Sequence, residues 1–219
     1  MNHALTMDGL TTPESTVRFA RATPTRRVDI VSDDQDAQLM LAYARGDMRA
    51  FETLYSRHRG ALYRYLARQA RDNEIAHDLF QEVWSRVIVN RERYQPRAKF
   101  RTFLFTLAHN CFIDHCRRMK SRPVAMGVDD ADAADLLRTD DNAAPDLAME
   151  RDEWSRCYRA ALATLPQEQR DVYLLHEESD LSIEEIARIT GVGPETAKSR
   201  LRYAVGKLKA ALAAAKDLA

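Results

Sequence analysis

Residues 181–212, LSIEEIARITGVGPETAKSRLRYAVGKLKAAL, leave the backbone few choices. Ser182 followed by Glu185 forms a capping box: the serine side chain accepts the third helical N–H and the glutamate reaches back to the cap. Ile183, Ile186 and Ala187 then share one face at helical spacing. Gly191 ends this helix, because a residue there usually needs positive φ. Val192 fills the turn, and Pro194 suits the first turn of a second helix, where its missing N–H costs little. That second helix turns Ala197, Leu201, Ala204, Val205 and Leu208 inward and projects Glu195, Lys198, Ser199, Arg202 and Lys209 outward. With Gly191 nine residues after Ser182, this is the grammar of a helix-turn-helix. Its outward face fits a major groove, with residues near the helix start reaching base edges and cations reaching phosphates. The plainer alternative is a helical hairpin with a solvated basic face.

The rest of the chain is read mostly as helix as well. Asp36–Arg45 makes a short helix stopped at Gly46. Arg49–Ala70 makes a longer one with Phe51, Leu54, Tyr55, Leu62, Tyr65 and Leu66 on one face. DNEIAHDLFQEVW opens a third helix at residue 72, which runs to about Asn90 with Ala76, Leu79, Phe80, Val83 and Val87 as its apolar stripe. The loop RYQPRAKF precedes a fourth helix from about Thr102 to Met119. No segment has a convincing strand pattern. Residues 1–35 are polar, rich in Thr and Pro and without periodicity, which predicts disorder.

Charge divides the chain further. The 219 residues have a formal net charge of zero, yet residues 86–122 carry ten Arg or Lys against Glu92 and Asp114. Residues 127–150 carry eight acids against Arg138 alone. A basic block followed by an acidic one suggests a polyanion-binding surface and then a segment that does not bind. Pro123, Gly127, Pro145 and the Asp-Ala repetition mark the acidic stretch as a flexible linker, with one transient turn at most at Leu136-Leu137. The expected organisation is all-α: an extension over 1–35, a helical domain over 36–120, a linker over 121–149 and a second helical domain over 150–214.

Several chemistries find no support. HNCFIDHC, residues 109–116, holds two His and two Cys, but on one helix only Cys111 and His115 share a face. Structural zinc draws its ligands from two elements, so buried thiols are expected and no metal or cofactor. Trp84 and Trp154 are expected to pack. No Ser-His-Asp grouping, Gly-rich phosphate loop or carboxylate pair stands out, which argues against an enzyme. Three unpaired cysteines, no signal peptide and no long apolar run point to a reducing cytoplasm and away from a membrane.

In this order, FETLYSRHRGALYRYL, DLFQEVWSRV and FRTFLFTLAHNCFIDHCRR resemble region 2 of bacterial sigma factors. LATLPQEQRDVYLLHEESDLSIEEIARITGVGPETAKSRLRYAVGKLKAAL resembles their region 4. With these two regions and a short linker, the chain resembles an extracytoplasmic-function (ECF) sigma factor over about residues 36–120 and 150–212. The resemblance implies RNA polymerase core as partner, engaged through the β′ clamp helices and the β flap, together with promoter DNA. It places Glu74, Asp78, Gln81 and Glu82 in polymerase docking. It places Arg97, Lys99, Arg101, Asn110, Arg117 and Arg118 at the −10 element, with His115 at a family-like position. A basic groove there tracks separated single strand, and an aromatic ring such as Phe100 or Phe103 stacks on a base. It places Lys198, Ser199, Arg200, Arg202 and Lys207 at the −35 element, with Arg200 or Lys207 on phosphate. Two departures stand out: Phe103 where Trp is usual, so that core packing is the plainer role for this ring, and Tyr203 where Arg is common. The alternative is a two-domain helix-turn-helix regulator that does not bind core polymerase.

Family members commonly carry a run like DAEDLVQE in the third helix. Ile75 and His77 replace two of its acids here, which weakens an interface built on opposite charge. In lacking these acids the chain resembles some ECF groups that are controlled by a Ser/Thr kinase in place of an anti-sigma factor. Phosphorylation adds about −1.5 to −2 charge near pH 7. Thr53, taken as exposed beside Ser56 and Arg57, is the first candidate, with Ser56 and Ser85 as alternates. An anti-sigma factor remains the other expected partner.

Overall fold

The structure, a computed structural model, describes residues 34–70, 72–121 and 145–216, with side chains in the last segment from Trp154 to Ala215. Eight α-helices form among the described residues: α1 (Gln35–Ala44), α2 (Met48–Ala70), α3 (Asn73–Val89), α4 (Phe100–Ser121), α5 (Pro145–Ala163), α6 (Gln167–Ser179), α7 (Ile183–Thr190) and α8 (Pro194–Lys216). A single 3₁₀ turn, Arg91–Arg93, follows α3. The described residues contain no strand.

Local chemistry sets the boundaries. The Asp34 carboxylate accepts the Asp36 N–H at 3.1 Å and caps α1. Gly46, at φ 104°, takes the chain out of that helix, and the Asp47 carboxylate then accepts the Arg49 N–H at 3.0 Å to begin α2. Asp72 caps α3 through Glu74 and Ile75. Each such cap satisfies donors that the first helical turn leaves without partners. In α7, Ser182 and Glu185 close the full capping box and Gly191 sits in the left-handed region at φ 69°.

The first unit packs α1–α4 around Met40, Leu54, Leu62, Tyr65, Leu66, Val83 and Leu104. Phe51 meets Trp84 edge-on at 5.8 Å, and Tyr55 meets it at 5.0 Å. The second unit packs α5–α8 around Leu162, Leu174, Leu175, Ile186, Ala204 and Leu208. The two units do not stand apart. α6 packs on α2 and α7 on α4, and the buried apolar residues of both form one continuous cluster.

Three expectations change. Asp34 and Gln35, assigned to the disordered extension, open the fold; residues 1–33 of that extension lie outside the described residues. α5 begins at Pro145, inside the stretch read as linker, whose residues 122–144 (Leu136 and Leu137 among them) lie outside the described residues. Trp154, expected to pack, is 60% exposed.

Candidate nucleic-acid interface

The helix-turn-helix presents α8 as the sequence pattern requires. Ala197, Ala204 and Leu208 are buried against the unit, while Lys198, Arg202 and Lys207 are exposed and Ser199 and Arg200 half-buried. Lys198, Ser199 and Arg202 lie within one turn on one face; Arg200 and Lys207, two turns apart, form a second line shared with Tyr203. The Arg202 guanidinium lies 5.2 Å from the Tyr203 ring centroid, a cation–π contact that limits its swing. Tyr203 is 56% exposed, so an aromatic face stands on this line.

The helix α4 carries a different line. Phe103, Asn110 and Arg117 recur at two-turn spacing, with Arg118 beside them. Asn110, Arg117 and Arg118 are exposed, and Phe103 is half-buried against Tyr94 at 5.1 Å and Phe100 at 6.1 Å. Arg97 and Lys99 are exposed on the preceding loop, where the Arg97 guanidinium donates to Gln95 at 2.6 and 3.0 Å. Arg101 does not join them. Nine residues before Asn110, it sits on the opposite side of the helix, and its guanidinium donates to the Ser179 carbonyl at 3.2 Å and lies 3.4 Å from Asp180 Oδ2.

Of the polymerase-docking candidates, Glu74, Asp78 and Gln81 are exposed along one side of α3, with Ser85 in the same row. Glu82 turns away: it accepts from Arg86 at 2.6 Å and lies 3.7 Å from Arg118, tying α3 to α4. Ile75 is half-buried against the core, and the exposed His77 ring nitrogen lies 2.7 Å from the Gln81 amide. Thr53 is half-buried, and its hydroxyl donates to the Arg49 carbonyl at 2.9 Å in an exposed contact. Two residues from both Phe51 and Tyr55, it points away from α3. Ser56 is exposed.

Sequence reasoning missed the residues that hold the loop before α4. Asp34 Oδ2 accepts the Phe100 N–H at 2.7 Å, so the residue capping α1 also orders the start of α4. Asp36 pairs with the buried His58 at 2.7 Å and with Arg57 at 2.6 Å, and the His58 ring packs 5.3 Å from Phe100. The His58 hydrogen bond, opposed by burial and aided by Arg57, holds the Asp36 carboxyl below its usual range. The only available signal was an Asp ahead of an amphipathic run, which identifies a cap and nothing more.

Cys111 is buried and Cys116 half-buried; burial pushes the Cys111 thiol up to about 11. Among the described residues no three His, Cys, Asp or Glu side chains converge to hold a metal, and no helix is long and apolar enough to cross a membrane.

Taken together, a helix-turn-helix and a second basic helix on separate helical units define a DNA-binding protein of two regions. The family model for sigma-70 region 2 matches residues 54–122, and that for sigma-70 region 4 matches residues 155–208. The RNA polymerase sigma factor CarQ of Myxococcus xanthus is 31% identical over 164 residues, covering 75% of this chain and 90% of CarQ. The ECF RNA polymerase sigma factor SigM of Mycobacterium tuberculosis is 30% identical over 173 residues, covering 79% and 82%. In three dimensions the chain is similar to CnrH, solved in complex with the cytosolic domain of CnrY, at a TM-score of 0.60 and 23% identity over 82% of this chain and 97% of that one. It is also similar to RpoE of Bartonella quintana, solved with the anti-sigma factor NepR, at a TM-score of 0.54 and 22% identity over 74% and 96%. The chain belongs to the ECF sigma factors of the sigma-70 family.

Proposed function

We propose that this chain directs RNA polymerase core to particular promoters and takes part in opening them, with no catalysis of its own. The supporting observation is the pairing, on one chain and in order, of sigma-70 regions 2 and 4, each presenting an outward row of cations or base-reading groups. In this proposal α8 reads the −35 element through Lys198, Ser199 and Arg202, with Arg200 and Lys207 on phosphate. Arg97, Lys99, Asn110, Arg117 and Arg118 track the −10 strand, and Arg101 joins them once freed from Ser179 and Asp180. Glu74, Asp78 and Gln81 dock on core polymerase through the β′ clamp helices, with the second unit on the β flap. Glu82 acts one step removed, by positioning Arg118. The test is to mix the purified chain with core polymerase and follow promoter opening. Association with core and strand separation is the expected result; DNA binding without core association would support the regulator alternative.

The proposal extends to control by a Ser/Thr kinase, with an anti-sigma factor as the competing partner. Its support is the reduced charge of α3, where Ile75 and His77 stand in the acidic run. Of the three hydroxyls, Ser85 has the most favourable position, exposed in the row of Glu74, Asp78 and Gln81. A phosphate on Thr53 would lie between Arg49 and Arg57, one turn to either side, which would neutralise much of its charge.

A further inference from the structure

Two features of α8 have no explanation in the packing of the chain. Tyr203 is the aromatic ring of this helix, yet it stands 56% exposed. Gly206 lies in the helix interior, where glycine destabilises a helix relative to alanine. Backbone geometry does not call for it, because positive φ among the described glycines is confined to Gly46 and Gly191. Nor does crowding, because a β-carbon at Gly206 would meet nothing within 4 Å. A glycine that the chain itself does not require leaves room for something outside the chain.

Helical period puts both residues on the outward side. Ala197, Ala204 and Leu208 are buried, and opposite them run Ser199 and Gly206, two turns apart. Tyr203 lies one turn from each, on the flank shared with Arg200 and Lys207, while Arg202 lies on the other flank. The Arg202 guanidinium, 5.2 Å from the ring centroid, holds the ring between cations.

These surroundings select the occupant. Cations on both sides of an apolar ring suit a polyanion that also offers an apolar group. Base edges in the major groove present donors and acceptors, which a ring face leaves unpaired at a cost. The 5-methyl group of thymine is the exception.

We propose that Tyr203 is a specificity-determining residue that packs against the 5-methyl group of a thymine in the −35 element, in the space that Gly206 leaves open. This rests on the assignment of α8 to that element. Ser199 and Gly206, both small, let the base edges come close enough for the ring to reach the methyl.

The test uses the full chain assembled on core polymerase, or alone if core does not bind, to select duplexes from a library randomised over the −35 element. Wild type should enrich a thymine at the one position where Tyr203→Ala relaxes preference. Deoxyuridine there keeps the base pair and removes the methyl. It should weaken wild-type binding about fourfold, the worth of one buried methyl group, and leave Tyr203→Ala unaffected. Tyr203→Phe keeps the ring and should keep the penalty. An Arg202 freed by loss of the ring would change hydrogen bonding but not the response to a methyl. Gly206→Ala should raise the thermal midpoint while weakening binding to the selected duplex, a split that a purely structural glycine would not show. Absence of a deoxyuridine penalty in wild type, or an undiminished penalty in Tyr203→Ala, would overturn the thymine contact. Wild-type binding by Gly206→Ala would overturn the role of the open space. Loss of core association in Tyr203→Ala with unchanged duplex preference would give the ring to polymerase and overturn the proposal. A chain that enriches no sequence would overturn the assignment of α8 and the thymine contact with it, an outcome distinct from enrichment without a methyl response.

Discussion

Thr102 and Glu185 lie 83 residues apart in sequence, yet the threonine hydroxyl donates to the glutamate at 2.7 Å in a buried contact between the two units. The other Glu185 oxygen accepts the Ser182 N–H at 2.9 Å. One carboxylate thus closes the capping box of the helix-turn-helix and fastens it to the helix assigned to the −10 strand. Burial pushes this carboxyl up, but the Ser182 and Thr102 hydrogen bonds and the charge of Lys99 together hold it below its usual range.

Thr102→Val keeps the shape and removes the donor. Leaving a buried acceptor unsatisfied costs about 1–3 kcal/mol. Thermal unfolding should show that loss, and Ser182→Ala, which removes the cap alone, should cost about 1 kcal/mol. A Thr102→Val variant as stable as wild type would show that the contact contributes nothing.

Asp171 gives the fold a pH dependence. Burial, offset in part by Gln69, Gln167 and Arg170, raises its carboxyl from 3.8 to about 6. The folded state therefore binds this proton more tightly than the unfolded chain, so this group's contribution is full below pH 4 and is lost as pH rises through about 6. Denaturant midpoints of wild type against Asp171→Asn should converge near pH 4 and separate towards pH 7 in favour of the asparagine. The gap is at most about 3 kcal/mol.

Promoter contacts divide by chemistry. Arg202→Ala should cost about 1–3 kcal/mol at one base position and relax preference there. Arg200→Ala or Lys207→Ala should weaken all sequences alike and reduce the salt slope by about 1. Binding measured on a panel of −35 variants across salt concentrations decides between them.

Replacing hydroxyls tests the control proposal. Ser85→Ala should abolish kinase-dependent core binding and Ser85→Asp should restore part of it, whereas Thr53→Ala should leave it intact. Loss of activation in Thr53→Ala with none in Ser85→Ala would reverse the assignment.

Gly191→Ala places a β-carbon at φ 69°, where nothing lies within 4 Å to clash. The cost is then the left-handed backbone alone, about 1–2 kcal/mol, and should appear as a lowered midpoint with wild-type DNA preference once folded.

The helices and the helix-turn-helix were legible because their signals are local. Ser182, Glu185, Gly191 and Pro194 act within one or two turns, and the buried row Ala197, Ala204 and Leu208 follows from helical period alone. Misplacements came where exposure depends on what lies opposite. Trp154 looked like a packing residue and stands exposed.

By itself, the sequence determined the helices α1–α4, α7 and α8, the capping box of α7, the two-region order and the cations of α8, all set by neighbours within a few residues. Tertiary structure decided which cations are available. It turned Arg101 to Ser179, tied Arg118 to Glu82 and closed Arg64 and Arg68 on Glu178. Those partners are distant in the chain, and a guanidinium looks the same in sequence whether it faces DNA, solvent or a buried carboxylate.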